Sequence, residues 1–267
     1  MGIGRIAKRS PGVALITTIL MSAGFGSASV QDESKELAKK LANPLATLIS
    51  VPNQLNYDEN IGPSDSGSLL QLYVQPVIPF PVSEDWLLIS RTIVSVINQS
   101  DIPIQGEGES GLGDILQSFF FSPDEATKRG WIWGAGPAML LPTASNDALG
   151  SEKWAVGPTA VALKQQGPWT YGILVNHLWS FAGEGGRDDI NLSYVEPWLS
   201  FVTRSNTTIS ISAETNYDWK AEGWSVPVNL IADQLLQIGK QYVAIGGAIK
   251  YWAESLDSGP EDIGYRL

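Results

Sequence analysis

The sequence predicts an all-β chain: an antiparallel transmembrane β-barrel of about twelve strands, preceded by a short N-terminal helix. Three observations predict it. The first is the stretch 207–219, in which Thr207, Ile209, Ile211, Ala213, Thr215, Tyr217 and Trp219 alternate with Thr208, Ser210, Ser212, Glu214, Asn216 and Asp218. Successive side chains of a strand point to opposite faces, so one wall is apolar and the other polar. The alternation runs for about thirteen residues, where an ordinary strand has about 5–6 and a strand tilted across a bilayer needs about 9–11. Its apolar wall ends in Tyr217 and Trp219, the residue types of an aromatic girdle at the headgroups. The second observation is an even number of such segments with no helical pattern between them. The third is an exchange of short and long connections, from which 81–85 and 122–129, only moderately short, depart.

Taken in order, the chain opens on Arg5, Lys8 and Arg9, an apolar run at 12–23 (GVALITTILMSA) and small residues at Gly26-Ser27-Ala28. A positive start, a short apolar core and a small-residue cleavage site make 1–28 a secretory signal peptide cut near Ala28. Its removal takes three positive charges and no negative ones from a chain of formal net charge −11, which leaves −14. That acidity argues against nucleic acid as a partner, since phosphate binding depends on Lys and Arg. With no cysteine, there is no disulfide framework and no thiolate metal site or nucleophile. No apolar run beyond 28 is long enough for a membrane-spanning helix.

Residues 29–46 hold the helix and a linker, the helix itself falling at 32–43. Ser34 is placed to cap it, Leu37, Leu41 and Leu45 share a face opposite Lys39 and Lys40, and Pro44 should end it. It either packs on the barrel mouth or serves as a luminal plug or docking helix. The barrel proper takes 47–267, with strands at 47–57, 68–80, 86–98, 112–121, 130–141, 153–165, 169–181, 190–202, 207–219, 224–236, 241–253 and a stub from 263. In 68–80 the polar wall is Gln71, Tyr73 and Gln75; in 190–202 it is Tyr194, Glu196, Trp198 and Ser200. The segments 86–98, 112–121 and 153–165 show no clean alternation. Tight turns at 166–168, 204–206 and 239–240 alternate with long polar connections at 99–110, 142–152, 182–189 and 254–262, as in barrels with short periplasmic turns and longer outer loops.

The segments 41–58 (LANPLATLISVPNQLNYD), 111–114 (GLGD), 133–137 (WGAGP) and 171–181 (YGILVNHLWSF) resemble a family of bacterial outer-membrane proteins named for the MetA pathway of phenol degradation. The resemblance covers essentially the whole mature chain. It implies a β-barrel in the outer membrane that passes small, aromatic or hydrophobic molecules. The lipid bilayer, a small solute and the outer-membrane assembly machinery would be its partners, and it supplies no catalytic residues. The sequence departs from the family pattern after Tyr265-Arg266-Leu267, where a full apolar strand is expected; the reading here is that the final strand is truncated.

Catalytic and metal chemistry find little support. His177 is the one histidine, with Asn176 and Ser180 on the opposite strand face, so no serine triad converges on it. It reads as part of an interfacial or luminal row with Tyr171, Trp179 and Phe181. Glu107, Glu109, Asp188 and Asp189 lie in Gly-rich loops without the ligand order of a Ca²⁺ loop; no cofactor is expected. The polar wall is the remaining candidate: Gln71, Tyr73, Gln75, Glu196, Ser210, Ser212, Glu214 and Asn216 would face the lumen, where carboxylates would favour cations or neutral polar solutes. Three functions follow. The first is a passive outer-membrane channel. The second is a non-conducting barrel that binds surface ligands or plays a structural part, and the third a barrel enzyme built on His177. A soluble periplasmic β-sandwich is the alternative fold.

Overall fold

Twelve antiparallel strands pair in sequence order and close on themselves. The computed structural model describes residues 18–20, 30–62, 64–102, 104–239 and 241–267. The helix α1 (Val30–Leu41) is followed by β1 (50–61, interrupted at Pro52), β2 (67–81, interrupted at Gln75-Pro76), β3 (Trp86–Ser100) and β4 (108–123, interrupted at Gly113-Asp114). Next come β5 (Trp131–Leu141), β6 (Lys153–Gln166), β7 (Trp169–Gly183), β8 (Asn191–Val202) and β9 (207–218, interrupted at Glu214). The last are β10 (223–238, interrupted at Val226), β11 (Gln241–Trp252) and β12 (Ile263–Arg266). Among the described residues no helix is long and apolar enough to cross a membrane.

Closure is made by β12 against β1. Tyr265 pairs with Tyr57 and Arg266 with Asn56, and Leu55 and Leu267 exchange backbone hydrogen bonds of 2.8 and 2.9 Å. Because β12 has four residues, it covers β11 only from Ala248 to Tyr251. Further along the seam the three-residue strand Thr18–Leu20 pairs Thr18 and Ile19 with Ala244 and Val243 of β11, and Ile19 and Leu20 with Val51 and Ser50 of β1. Apart from these three residues, the expected signal peptide and its cleavage point lie outside the described residues.

The two ends of the barrel differ. At one, hairpins such as Gln166↔Trp169 and Ile238↔Gln241 are tight; Gly167 supplies the positive φ (58°) that a two-residue turn needs. At the other, the connections 101–107, 142–152, 184–190 and 253–262 are long. The outward face carries an apolar belt, in which Ile173, Val175, Leu199, Ile211, Leu230 and Ile249 are all exposed. Aromatic rings border it at both ends. Near the short turns Trp86 meets Trp133, Trp131 meets Tyr171 and Trp169 meets Phe201; near the long loops Tyr217 packs against both Trp219 and Trp224. An apolar band of about 25 Å between two aromatic girdles is the surface that a bilayer requires of a barrel.

Inside the short-turn end sits the N-terminal segment. Ala38 of α1 is buried with Val202, Leu235 and Tyr242, on the inner faces of β8, β10 and β11. The chain then crosses the lumen, and Leu45 is buried among Ile89, Phe120 and Leu163 on the opposite wall. Gln165 fastens the helix by donating from Nε2 to the Lys39 carbonyl at 2.8 Å. The helix therefore lies in the lumen, the plug arrangement rather than a lid on the mouth. It begins at Val30 and ends at Leu41, so Ser34 falls within its second turn and does not cap it.

Candidate luminal site

Strand alternation positions the interior. In β2, Gln71, Tyr73 and Gln75 point inward; in β8, Tyr194, Glu196 and Trp198 do; in β9, Ser210, Ser212, Glu214 and Asn216 do, with the break at Glu214 leaving the inward phase unchanged. Two cavities share this lining. The outer one, about 1160 Å³, is lined by Gln71, Tyr73, Gln75, Glu196, Glu214 and Asn216 among others. The inner one, about 290 Å³, is lined by Gln75, Glu196, Ser210 and Ser212 and by the helix and segment 41–48. Gln54, Gln75, Arg91, Leu174 and Glu196 line both, and so form the waist between them.

The electrostatics differ from a ring of carboxylates. Arg266 of β12 donates from both Nη atoms to Glu214 at 2.6 and 2.7 Å and from Nε to Asn56 at 2.7 Å. Lys250 of β11 donates to both oxygens of Asp58 of β1, at 3.1 and 2.9 Å, and the Trp252 indole N–H donates to the same carboxylate at 2.9 Å. Both ions of the Lys250–Asp58 pair are almost fully buried, with side-chain exposures of 5% and 6%. At the waist the Arg91 guanidinium donates to Gln75 Oε1 at 2.7 Å, and Gln75 Nε2 donates to Gln54 Oε1 at 2.9 Å. Across the lumen the Tyr194 hydroxyl donates to Glu196 at 2.8 Å. Glu214 is thus neutralised by a partner, and the lumen carries Arg91, Lys250 and Arg266 beside its acids; the expected cation preference does not follow from this wall.

Asn56, Asp58, Arg91 and Arg266 are luminal groups that strand alternation did not reveal, whereas the alternation of 241–253 sets Lys250 on the face opposite Val243, Ile245, Ile249 and Tyr251. A usable signal existed for Arg91 and Lys250: each charge stands alone in a segment that is otherwise largely uncharged, as in LLISRTIV around Arg91, and an isolated charge at membrane depth points to the interior.

His177 faces outward. Its Nδ1 lies 2.7 Å from Ser193 Oγ, which also accepts from the Trp219 indole at 2.9 Å, and its ring packs on Trp179 with centroids 4.0 Å apart. Ser193 is on the neighbouring strand β8, which is why the sequence around His177 does not disclose it. Among the described residues, no carboxylate or amide hydrogen-bonds this group to orient the imidazole, as a catalytic triad would require.

The loops 142–152 and 184–190 meet at the outer cavity, which residues of both line. Lys153 pairs with Asp189 at 3.2 Å and Arg187 with Glu152 at 3.1 Å, while Arg187 also donates to the Asp147 and Gly150 carbonyls. The hydrogen bond from Lys153 holds the Asp189 carboxyl below the usual carboxylate range. Glu109, expected in a loop, lies in the 108–112 part of β4, paired with Gln99.

Neither a family model nor a curated protein matches the sequence. Among solved structures, an outer membrane channel from Pseudomonas putida F1 superposes with a TM-score of 0.62 over 82% of this chain and 92% of that one, at 13% identity. This chain has that channel's fold. The likeness carries the barrel architecture with twelve strands. It leaves the family resemblance of segments 41–58, 111–114, 133–137 and 171–181 resting on fold alone.

Proposed function

We propose that this protein is a passive outer-membrane channel for small molecules, with the barrel interior as the solute path. The carrying observation is a cavity of about 1160 Å³, walled by polar and apolar side chains together, inside a barrel whose outward face is an apolar belt between two aromatic girdles. A cavity of that size holds a small solute with its water, and the walls offer hydrogen bonds together with aromatic faces such as Tyr73 and Tyr194. The fold shared with a channel and the family resemblance support the same reading. On it, the signal peptide exports the chain, assembly machinery inserts it, and small molecules, aromatic or hydrophobic ones among them, cross it. The eight residues first singled out on the polar wall, from Gln71 to Asn216, would line the path.

The test is planar-bilayer conductance and liposome swelling with the purified mature chain. Single-channel steps and solute-dependent swelling are expected, whereas a sealed bilayer from correctly inserted, heat-modifiable protein would refute the channel. One observation favours a non-conducting binding barrel: segment 41–48 occupies the inner end and seats Leu45 in a buried apolar cluster. That reading predicts ligand binding without conductance. Unchanged lipid and peptide hydrolysis in His177→Ala would end the enzyme alternative.

A further inference from the structure

The luminal charges are not used alike. Arg266 and Glu214 satisfy each other, and Lys250 and Asp58 satisfy each other. Arg91 and Glu196 do not: among the described residues neither has an ion-pair partner, and each is hydrogen-bonded by a neutral side chain instead, Gln75 and Tyr194 respectively. Both line the outer and inner cavities, so they stand where the lumen passes from one to the other. They project from β3 and β8, five strands apart in a ring of twelve and hence on nearly opposite walls.

Their supports hold them there. Gln75 is 4% exposed and is itself fixed by Gln54, so the fork of Arg91 is anchored at one end with further N–H groups left to donate. The hydrogen bond from Tyr194 goes to Glu196 Oε2, which leaves Oε1 to accept from a solute. A cation and an anion facing each other across a waist set up a field perpendicular to the path. Such a field orients a dipolar solute and repays its lost hydration at both ends, while a solute with one charge meets attraction on one wall and repulsion on the other.

We propose that the waist is a selectivity subsite for small zwitterions, the solute's carboxylate taken by Arg91 and its ammonium by Glu196, with Gln54, Gln75 and Tyr194 as positioning residues. The proposal rests on the channel reading for transport but not for binding, and the experiment separates the two.

The experiment compares liposome swelling by γ-aminobutyrate with swelling by a neutral polyol of similar size, and titrates γ-aminobutyrate into the detergent-solubilised full chain by calorimetry. Variants are Arg91→Gln, Glu196→Gln and the exchange Arg91→Glu/Glu196→Arg, each checked for heat-modifiable migration. Each single variant is expected to lower the zwitterion-to-polyol rate ratio about tenfold, equivalent to ~1.4 kcal/mol. The exchanged pair should recover most of it, since a zwitterion can turn around. Binding without swelling, lost in the single variants, would keep the subsite and remove the channel. A ratio and a binding isotherm unchanged by either single variant, or no binding and no swelling by γ-aminobutyrate in the unmodified chain, would overturn the proposal. Should the exchanged pair fail to migrate as a folded barrel, Arg91→Lys and Glu196→Asp replace it; each keeps its charge and should retain more of the ratio than the corresponding Gln variant, and equal loss would count against the charge pair.

Discussion

Lys250 and Asp58 lie on β11 and β1, the two strands that flank the four-residue β12, so their ion pair straddles the seam where the barrel closes. At an N···O distance of 2.9 Å, the Coulomb attraction is about 6 kcal/mol for an effective dielectric near 20, much of it offset by desolvation of two buried ions. Removing one partner leaves the other buried and uncompensated, which costs about 3–5 kcal/mol; removing both costs far less. Lys250→Met leaves the Asp58 carboxylate with the Trp252 N–H alone and should destabilise the barrel by about 3–5 kcal/mol. In Asp58→Asn/Lys250→Met the amide oxygen still accepts from Trp252 and no charge is buried, so the loss should fall to about 1 kcal/mol. Urea titration in detergent micelles, following the fast-migrating unheated band, measures both. A Lys250→Met loss under about 1 kcal/mol, or a double variant equal to the sum of its singles, would show that lumen water screens the pair and that the seam is held otherwise.

Two further outcomes follow from the inside and outside of the wall. Leu45→Ala removes most of the side chain that seats segment 41–48 among Ile89, Phe120 and Leu163. It should cost about 2–5 kcal/mol and raise bilayer conductance; unchanged conductance and stability together would deny that segment its place as the plug. On β9, Ile211→Arg puts a charge on the lipid face and should cost about 2–4 kcal/mol in bilayers, while Asn216→Arg, facing the outer cavity, should stay within about 1 kcal/mol. Equal costs at the two positions, measured by unfolding from liposomes, would invert the assignment of faces.

The strands were legible because turns and alternation agree: the twelve segments found by reading along the chain are the twelve that pair. Three of them, 86–98, 112–121 and 153–165, show no clean alternation, and the structure gives the reason. Their inward faces carry Leu87, Ile89, Phe120, Val161 and Leu163, which pack against Leu45, so both faces are apolar there. Breaks at Gly113-Asp114 and a register shift between Trp154 and Ala155 blur the phase further. The polar wall of β2, β8 and β9 was readable one strand at a time. The charge pattern was not, because Arg266 finds Glu214 across 52 positions of sequence and Lys250 finds Asp58 across 192; a period of two carries no information about such partners.

The pairing of Arg266 with Asn56 joins residues 210 positions apart, whereas every neighbouring hairpin joins residues close in sequence. Local hairpins zip quickly, and so distant a pairing waits for all of them. The guanidinium that grips Asn56 is the same one that clamps Glu214, so the residue that ties the last strand to the first also fixes the interior of β9. One side chain thereby couples the closure of the ring to the shape of the pore.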